Sequence, residues 1–181
     1  MKRCIYILIV LLVFGCSSLP KDFTYRYDGI NTGLDALINI DGYYVSEHGC
    51  DSAFYSVYMF YPDGLFTIAT VSKVSDELID CFAGRDSNIY KYPSWGIYRV
   101  ENGLIRTQVL RAEGNRFTIF RDYRILPDGN IVNISDFVKP EYSRLGYLKN
   151  YPSFLENSCE KPAVFYPLNM KREKKKGPFR F

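Results

Sequence analysis

The chain is poor in the residues that most enzymes and metal proteins lean on: it has one histidine, His48, and one tryptophan, Trp95. A structural zinc site takes four ligands in paired spacings. His48 and Cys50 lie two apart, whereas Cys81 and Cys159 stand singly, so no such set is formed. No serine, cysteine or carboxylate lies in a nucleophile motif. Asp76, Glu77 and Asp80 could act as an acid and base pair, but on a segment with helical spacing they read more simply as its solvated face. These lacks argue against an enzyme and against a metal or cofactor. A long hydrophobic run is also missing. The apolar stretch Ile5 to Phe14 is about ten residues, broken by Tyr6, where a helix needs roughly 20 to cross a bilayer. A permanent transmembrane anchor is therefore the weaker reading of the N-terminus.

What is there instead is a short signal. Lys2 and Arg3 precede the apolar run, the layout of a secretion signal. The run ends in Val13-Phe14-Gly15-Cys16-Ser17-Ser18. This segment resembles the lipobox of bacterial lipoproteins, with an aliphatic residue three before the cysteine and a small residue just before it. The resemblance implies that residues 1–15 are a signal peptide cut away before Cys16, whose thiol carries a diacylglyceryl group. The thiol must become a thiolate to be acylated. Each buried methylene contributes about 0.8 kcal/mol, so two or three acyl chains hold a protein on a membrane. Ser17 and Ser18, standing where aspartate would mark retention at the inner membrane, imply delivery to the outer membrane, lipid-anchored and outside the cytoplasm. The alternative is an ordinary secretion signal, with Val13 and Gly15 as its small residues and an incidental cysteine.

Removal of residues 1–15 leaves 166 of the 181 residues, enough for one domain with a real core. The formal charge of +3 falls to +1 without Lys2 and Arg3. Residues 16–40 read as the lipidated cysteine and a tether ending in a short helix or irregular entry segment, 41–168 as the folded domain, and 169–181 as a basic tail. In that tail Lys171, Arg172, Lys174, Lys175, Lys176 and Arg180 oppose only Glu173. It reads as a solvated end, with contact to anionic headgroups as the alternative. Nucleic acid is not an expected partner, since the signal removes the chain from that compartment.

Sixteen tyrosines and thirteen phenylalanines, with β-branched residues, fall in short runs separated by turn signals. The pattern predicts strands over Gly42–Glu47, Phe54–Tyr61, Leu65–Val71, Trp95–Val100, Leu104–Arg111, Arg116–Leu126 and Asn130–Ser135. Pro62-Asp63-Gly64, Glu101-Asn102-Gly103, Glu113-Gly114-Asn115 and Pro127-Asp128-Gly129 supply hairpin turns, so neighbouring strands run antiparallel. These joins are too short for the crossovers of a parallel sheet. Only 72–93 has room for a helix. The expected fold is all-β, an antiparallel up-and-down meander closing into a small barrel, because closure removes exposed edges. A β-sandwich is the alternative.

The segment Ser94-Trp95-Gly96-Ile97-Tyr98-Arg99-Val100-Glu101-Asn102-Gly103-Leu104-Ile105 resembles the central hairpin of bacterial lipocalin-like lipoproteins. Asp41-Gly42-Tyr43-Tyr44 would then be the first strand, with Tyr44 in place of the tryptophan common there. The resemblance implies an up-and-down barrel that binds a small apolar ligand.

Hairpin parity sends the connections 49–53, 72–93 and 112–116 to one end, a mouth, and the tight turns at 62–64, 101–103 and 127–129 to the other. Cys50 and Cys81 then meet at the mouth as a candidate disulfide, with Cys159 as the alternative partner and free thiols as the remaining reading. Alternation with Phe117, Ile119, Tyr123 and Ile125 places Arg121 on an apolar face, where a guanidinium needs a carboxylate of the protein or of a ligand. A bulge turning Arg121 outward is the alternative. Two functional classes remain. One is an interaction module that fills its own barrel and serves an envelope protein or glycan; the other is a carrier of a small apolar or acidic ligand.

Overall fold

A computed structural model describes residues 19–20, 22–48, 54–82, 94–111, 117–138 and 161–168. Residues 1–15, expected to be a signal peptide, Cys16, Cys50, Cys159 and residues 169–181 lie outside the described residues. Eight strands form one antiparallel sheet: β1 Gly42–His48, β2 Phe54–Phe60, β3 Leu65–Val71, β4 Ser94–Glu101, β5 Leu104–Arg111, β6 Phe117–Ile125, β7 Ile131–Val138 and β8 Val164–Pro167. A helix, α1 (Asp76–Phe82), lies in the long connection after β3. A 3-10 turn, Leu34–Ala36, precedes β1.

The first seven strands follow one another as a meander, each hydrogen-bonded to the next. The β4–β5 turn shows why. Asn102 and Gly103 both take left-handed φ, 53° and 74°, the pair that a two-residue hairpin requires and that most side chains resist. Closure comes from the eighth strand. It pairs with β1, setting Tyr44 opposite Phe165, and its approach residue Ala163 exchanges two backbone hydrogen bonds with Ile131 of β7, at 2.7 and 3.3 Å. The barrel is nearly closed, and the two-sheet sandwich is set aside because all eight strands belong to one sheet. β8 was not among the expected strands.

Strand alternation divides the buried residues into two sets. One lines the barrel interior: Tyr44, Tyr58, Phe60, Phe66, Tyr98 and Tyr123 are each at most 2% exposed. The other lies on the outer wall of β2 to β4, where Val57, Met59, Leu65, Ala69, Trp95 and Ile97 pack together. A wall that apolar must be covered. Leu78 of α1 and Phe23 of the N-terminal segment cover it. β2 and β3 are thus buried on both faces, so their sequences FYSVYMF and LFTIATV carry no charged residue and little strict alternation.

The segment before β1 is packed along this wall. From Asp22 to Thr32 it runs down the outside of the barrel, and Leu34 and Ile38 then enter the interior cluster at the tight-turn end. Its contacts in order are Asp22 with Thr118, Thr24 and Tyr25 with Gln108, Tyr25 with Arg99, Tyr27 with Asp63, and Thr32 with Pro62.

Candidate functional site

The barrel interior is the first place to look for a site, and its lower half is occupied by the protein's own rings. Phe60 stacks on Phe66 with centroids 5.7 Å apart and meets Tyr98 edge-on at 5.4 Å. Tyr58 meets Tyr123 edge-on at 5.3 Å. Such pairs add about 0.5–1.5 kcal/mol each beyond the burial of their area. Room for the stack depends on Gly96: a Cβ there would lie 2.2 Å from Phe66 Cε1 and 2.6 Å from the Gln108 carbonyl oxygen. Tyr98 completes the floor by donating its hydroxyl to the Tyr61 carbonyl at 2.6 Å and accepting from Thr32 Oγ1 at 2.9 Å.

The inner face also carries polar residues: buried Ser46 and Ser56 towards the mouth, buried Thr107 and half-buried Arg121 at mid-strand, and buried Asn133 beside Tyr123. Ser46 stands opposite Ser56, and Thr107 donates to the Arg121 carbonyl at 3.0 Å. Arg121 keeps the inner-face position that its spacing from Tyr123 predicts, directly across the ladder from Asp136. The bulge falls on the partner strand. Asp122 pairs with Ser135 and Tyr123 with Asn133, so Ile134 is the extra residue and β6 keeps its alternation.

The strand ends flanking 49–53, 72–93 and 112–116 lie at the mouth, as hairpin parity requires. Of the candidate disulfide, α1 carries the Cys81 backbone at that end of the chain path, while Cys50 and Cys159 fall outside the described residues. His48 ends β1 opposite Phe54. Among the described residues no group of three His, Cys, Asp or Glu side chains lies close enough to hold a metal ion, and no helix is long and apolar enough to cross a membrane.

Two of the open clefts among the described residues bear on function. The larger, about 510 Å³, sits at the tight-turn end where β8 meets the β6–β7 turn, and Asp35, Asn39, Asp41, Asp128 and Phe165 line it. At its base Tyr44 donates to the Asn39 carbonyl at 2.8 Å, with the Gly129 carbonyl 3.4 Å away. Burial pushes the Tyr44 hydroxyl up to about 12, so it remains a donor at any physiological pH. The smaller cleft, about 280 Å³, lies between the N-terminal segment and β4, with Arg26, Asp28, Arg99 and Glu101 at its rim.

The contacts that hold the N-terminal segment had no signal in the sequence. The side chain of Gln108, only 3% exposed, accepts the backbone N–H groups of Thr24 and Tyr25 at 2.8 and 2.9 Å and donates to Thr24 Oγ1 at 2.9 Å. Thr118 donates to Asp22 at 3.0 Å, and the Arg99 guanidinium sits 4.5 Å from the centre of the Tyr25 ring. Gln108 faces outward by parity, where a solvated glutamine would be the simple expectation.

The class that the fold defines is a nearly closed, eight-stranded antiparallel barrel with an aromatic-filled floor. No family model, curated protein or solved structure matches the chain.

Proposed function

We propose that this protein is a lipid-anchored lipoprotein of the bacterial outer membrane, whose lipocalin-like barrel fills its own interior and serves as an interaction module for an envelope protein or glycan. The supporting observation is the floor of the barrel. Six aromatic side chains at most 2% exposed take the volume in which a carrier would hold an apolar ligand. Surfaces for a partner are then external, and the open cleft of about 510 Å³ at the tight-turn end is one of them. The anchor rests on Cys16 and the residues around it.

The competing reading is a carrier of a small acidic ligand, favoured by Arg121 on the inner face at mid-strand. A polarity-sensitive apolar dye and a fluorescent fatty acid distinguish the two. The self-filled module gives no saturable signal with either. Saturable fatty-acid binding that Arg121→Gln abolishes while the fold is retained would establish the carrier instead.

A further inference from the structure

We propose that the anchor seats the barrel with its mouth end against the membrane surface and its tight-turn end facing away from it. This orientation rests on the reading of Cys16 as the lipidated residue. It follows from where the packed chain begins.

The N-terminal segment does not leave the barrel at an arbitrary point. It is held at the mouth end of β5 and β6, where Asp22 accepts from Thr118, and Thr118 pairs with Leu110 beside the 112–116 connection. A turn closed by the Phe23 N–H to the Pro20 carbonyl, at 2.9 Å, fixes the chain there, and Leu19 packs against the wall cluster. Cys16 lies four residues before Pro20, a reach of at most about 14 Å of extended chain. From Thr118 to the tight-turn end of β6 at Ile125 is seven residues, about 23 Å of strand. The acyl chains therefore cannot be delivered to the tight-turn end without releasing the packed segment.

Phe54, 52% exposed, and the exposed Lys73 stand at the mouth, an aromatic ring and a cation suited to the headgroup layer, followed by the exposed carboxylates Asp76 and Glu77 of α1. The tight-turn cleft is lined by Asp35, Asp41 and Asp128 with no basic residue among its lining, so an anionic surface repels it. The partner at the mouth is the lipid headgroup layer itself, and the acidic cleft is left open to the aqueous side.

The test uses the full-length protein processed in cells and reconstituted into vesicles of phosphatidylethanolamine and phosphatidylglycerol. An environment-sensitive fluorescent amino acid is placed at exposed Ser72, just past β3 at the mouth, or at exposed Arg124, near the tight-turn end. A nitroxide on the lipid headgroups then quenches whichever position is near the surface. The expected result is flotation with the vesicles in both cases, loss of fluorescence at Ser72 and none at Arg124. Flotation with loss at Arg124, with equal loss at both, or with loss at neither overturns the orientation and leaves the anchor standing. Failure to float overturns the anchor reading and the orientation with it.

Discussion

Gln108 and Thr24 are joined by two hydrogen bonds across 84 residues of sequence: Gln108 Oε1 accepts the Thr24 N–H at 2.8 Å, and Gln108 Nε2 donates to Thr24 Oγ1 at 2.9 Å. The same Oε1 also takes the Tyr25 N–H. One side chain thereby takes two backbone N–H groups of an extended segment that lies outside the strand ladder.

Gln108→Ala should release that segment, because two part-buried N–H groups lose their acceptor. The expected cost is about 2–4 kcal/mol, which lowers the melting temperature by about 5–15 °C in a domain of this size. Limited proteolysis should cut within residues 19–33 before the barrel unfolds. A variant with unchanged melting temperature and unchanged cleavage would show that the segment is held elsewhere.

Gly96→Ala should destabilise the barrel more than a typical surface change. Its Cβ would meet the Phe66 ring at 2.2 Å and the Gln108 carbonyl at 2.6 Å. Phe66 can give way but the β5 backbone cannot do so cheaply, so Phe66→Leu should rescue Gly96→Ala only in part. Urea unfolding of the two single variants and the double variant measures this. Overpacking of this kind costs about 1–3 kcal/mol. Full rescue would mean that the backbone contact is unimportant.

The Tyr44 hydroxyl gives the fold a dependence on alkaline pH. Its pKa is pushed up to about 12 by burial, against an ordinary value near 10. The neutral form is the one the fold favours. Stability from this group is therefore fully present below about pH 10 and is lost as pH rises through about 12, by order of 2 kcal/mol. Burial raises Tyr25 and Tyr43 as well. Tyr44→Phe should flatten the fall in urea midpoint between pH 10 and 12, while costing about 1 kcal/mol at neutral pH through loss of the bond to the Asn39 carbonyl. An unchanged pH profile would assign the dependence to the other tyrosines.

Seven of the eight strands were legible in the sequence because each is a run of aromatic and β-branched residues bounded by a local turn. Asn102-Gly103 and Pro127-Asp128-Gly129 announce their hairpins within a few residues. β8 was not, since Val164–Pro167 is four residues ending in proline and its partners, β1 and Ile131, are distant in sequence. The inner-face position of Arg121 was legible from period-two spacing. The side of the bulge was not, because nothing in the β7 sequence distinguishes Ile134 from its neighbours. Packing of residues 22–33 was hidden for a different reason. Extended chain held by Gln108, Thr118 and Arg99 shows no periodicity of its own, and those three residues, on β4, β5 and β6, are far from it in sequence.

Cys81 sits on α1 in the 72–93 connection, and β1 delivers the chain to Cys50 at the same end. Non-reducing peptide mapping of protein taken from its native envelope should show a Cys50-containing bridge, to Cys81 before Cys159. Alkylation of Cys50, Cys81 and Cys159 without prior reduction would contradict it.

The intact mass of the protein released gently from the cell envelope, measured first under native and then under denaturing conditions, tests the lipid anchor and the self-filled barrel together. The predicted denatured mass is that of residues 16–181 plus covalent acyl groups on Cys16, and the native mass should exceed it by nothing that a small bound molecule could supply. Cys16→Ala should yield the uncut, unacylated precursor. A denatured mass for residues 1–181 or a cleaved chain without lipid would contradict the anchor, and a native mass carrying a stoichiometric small molecule would contradict the self-filled barrel.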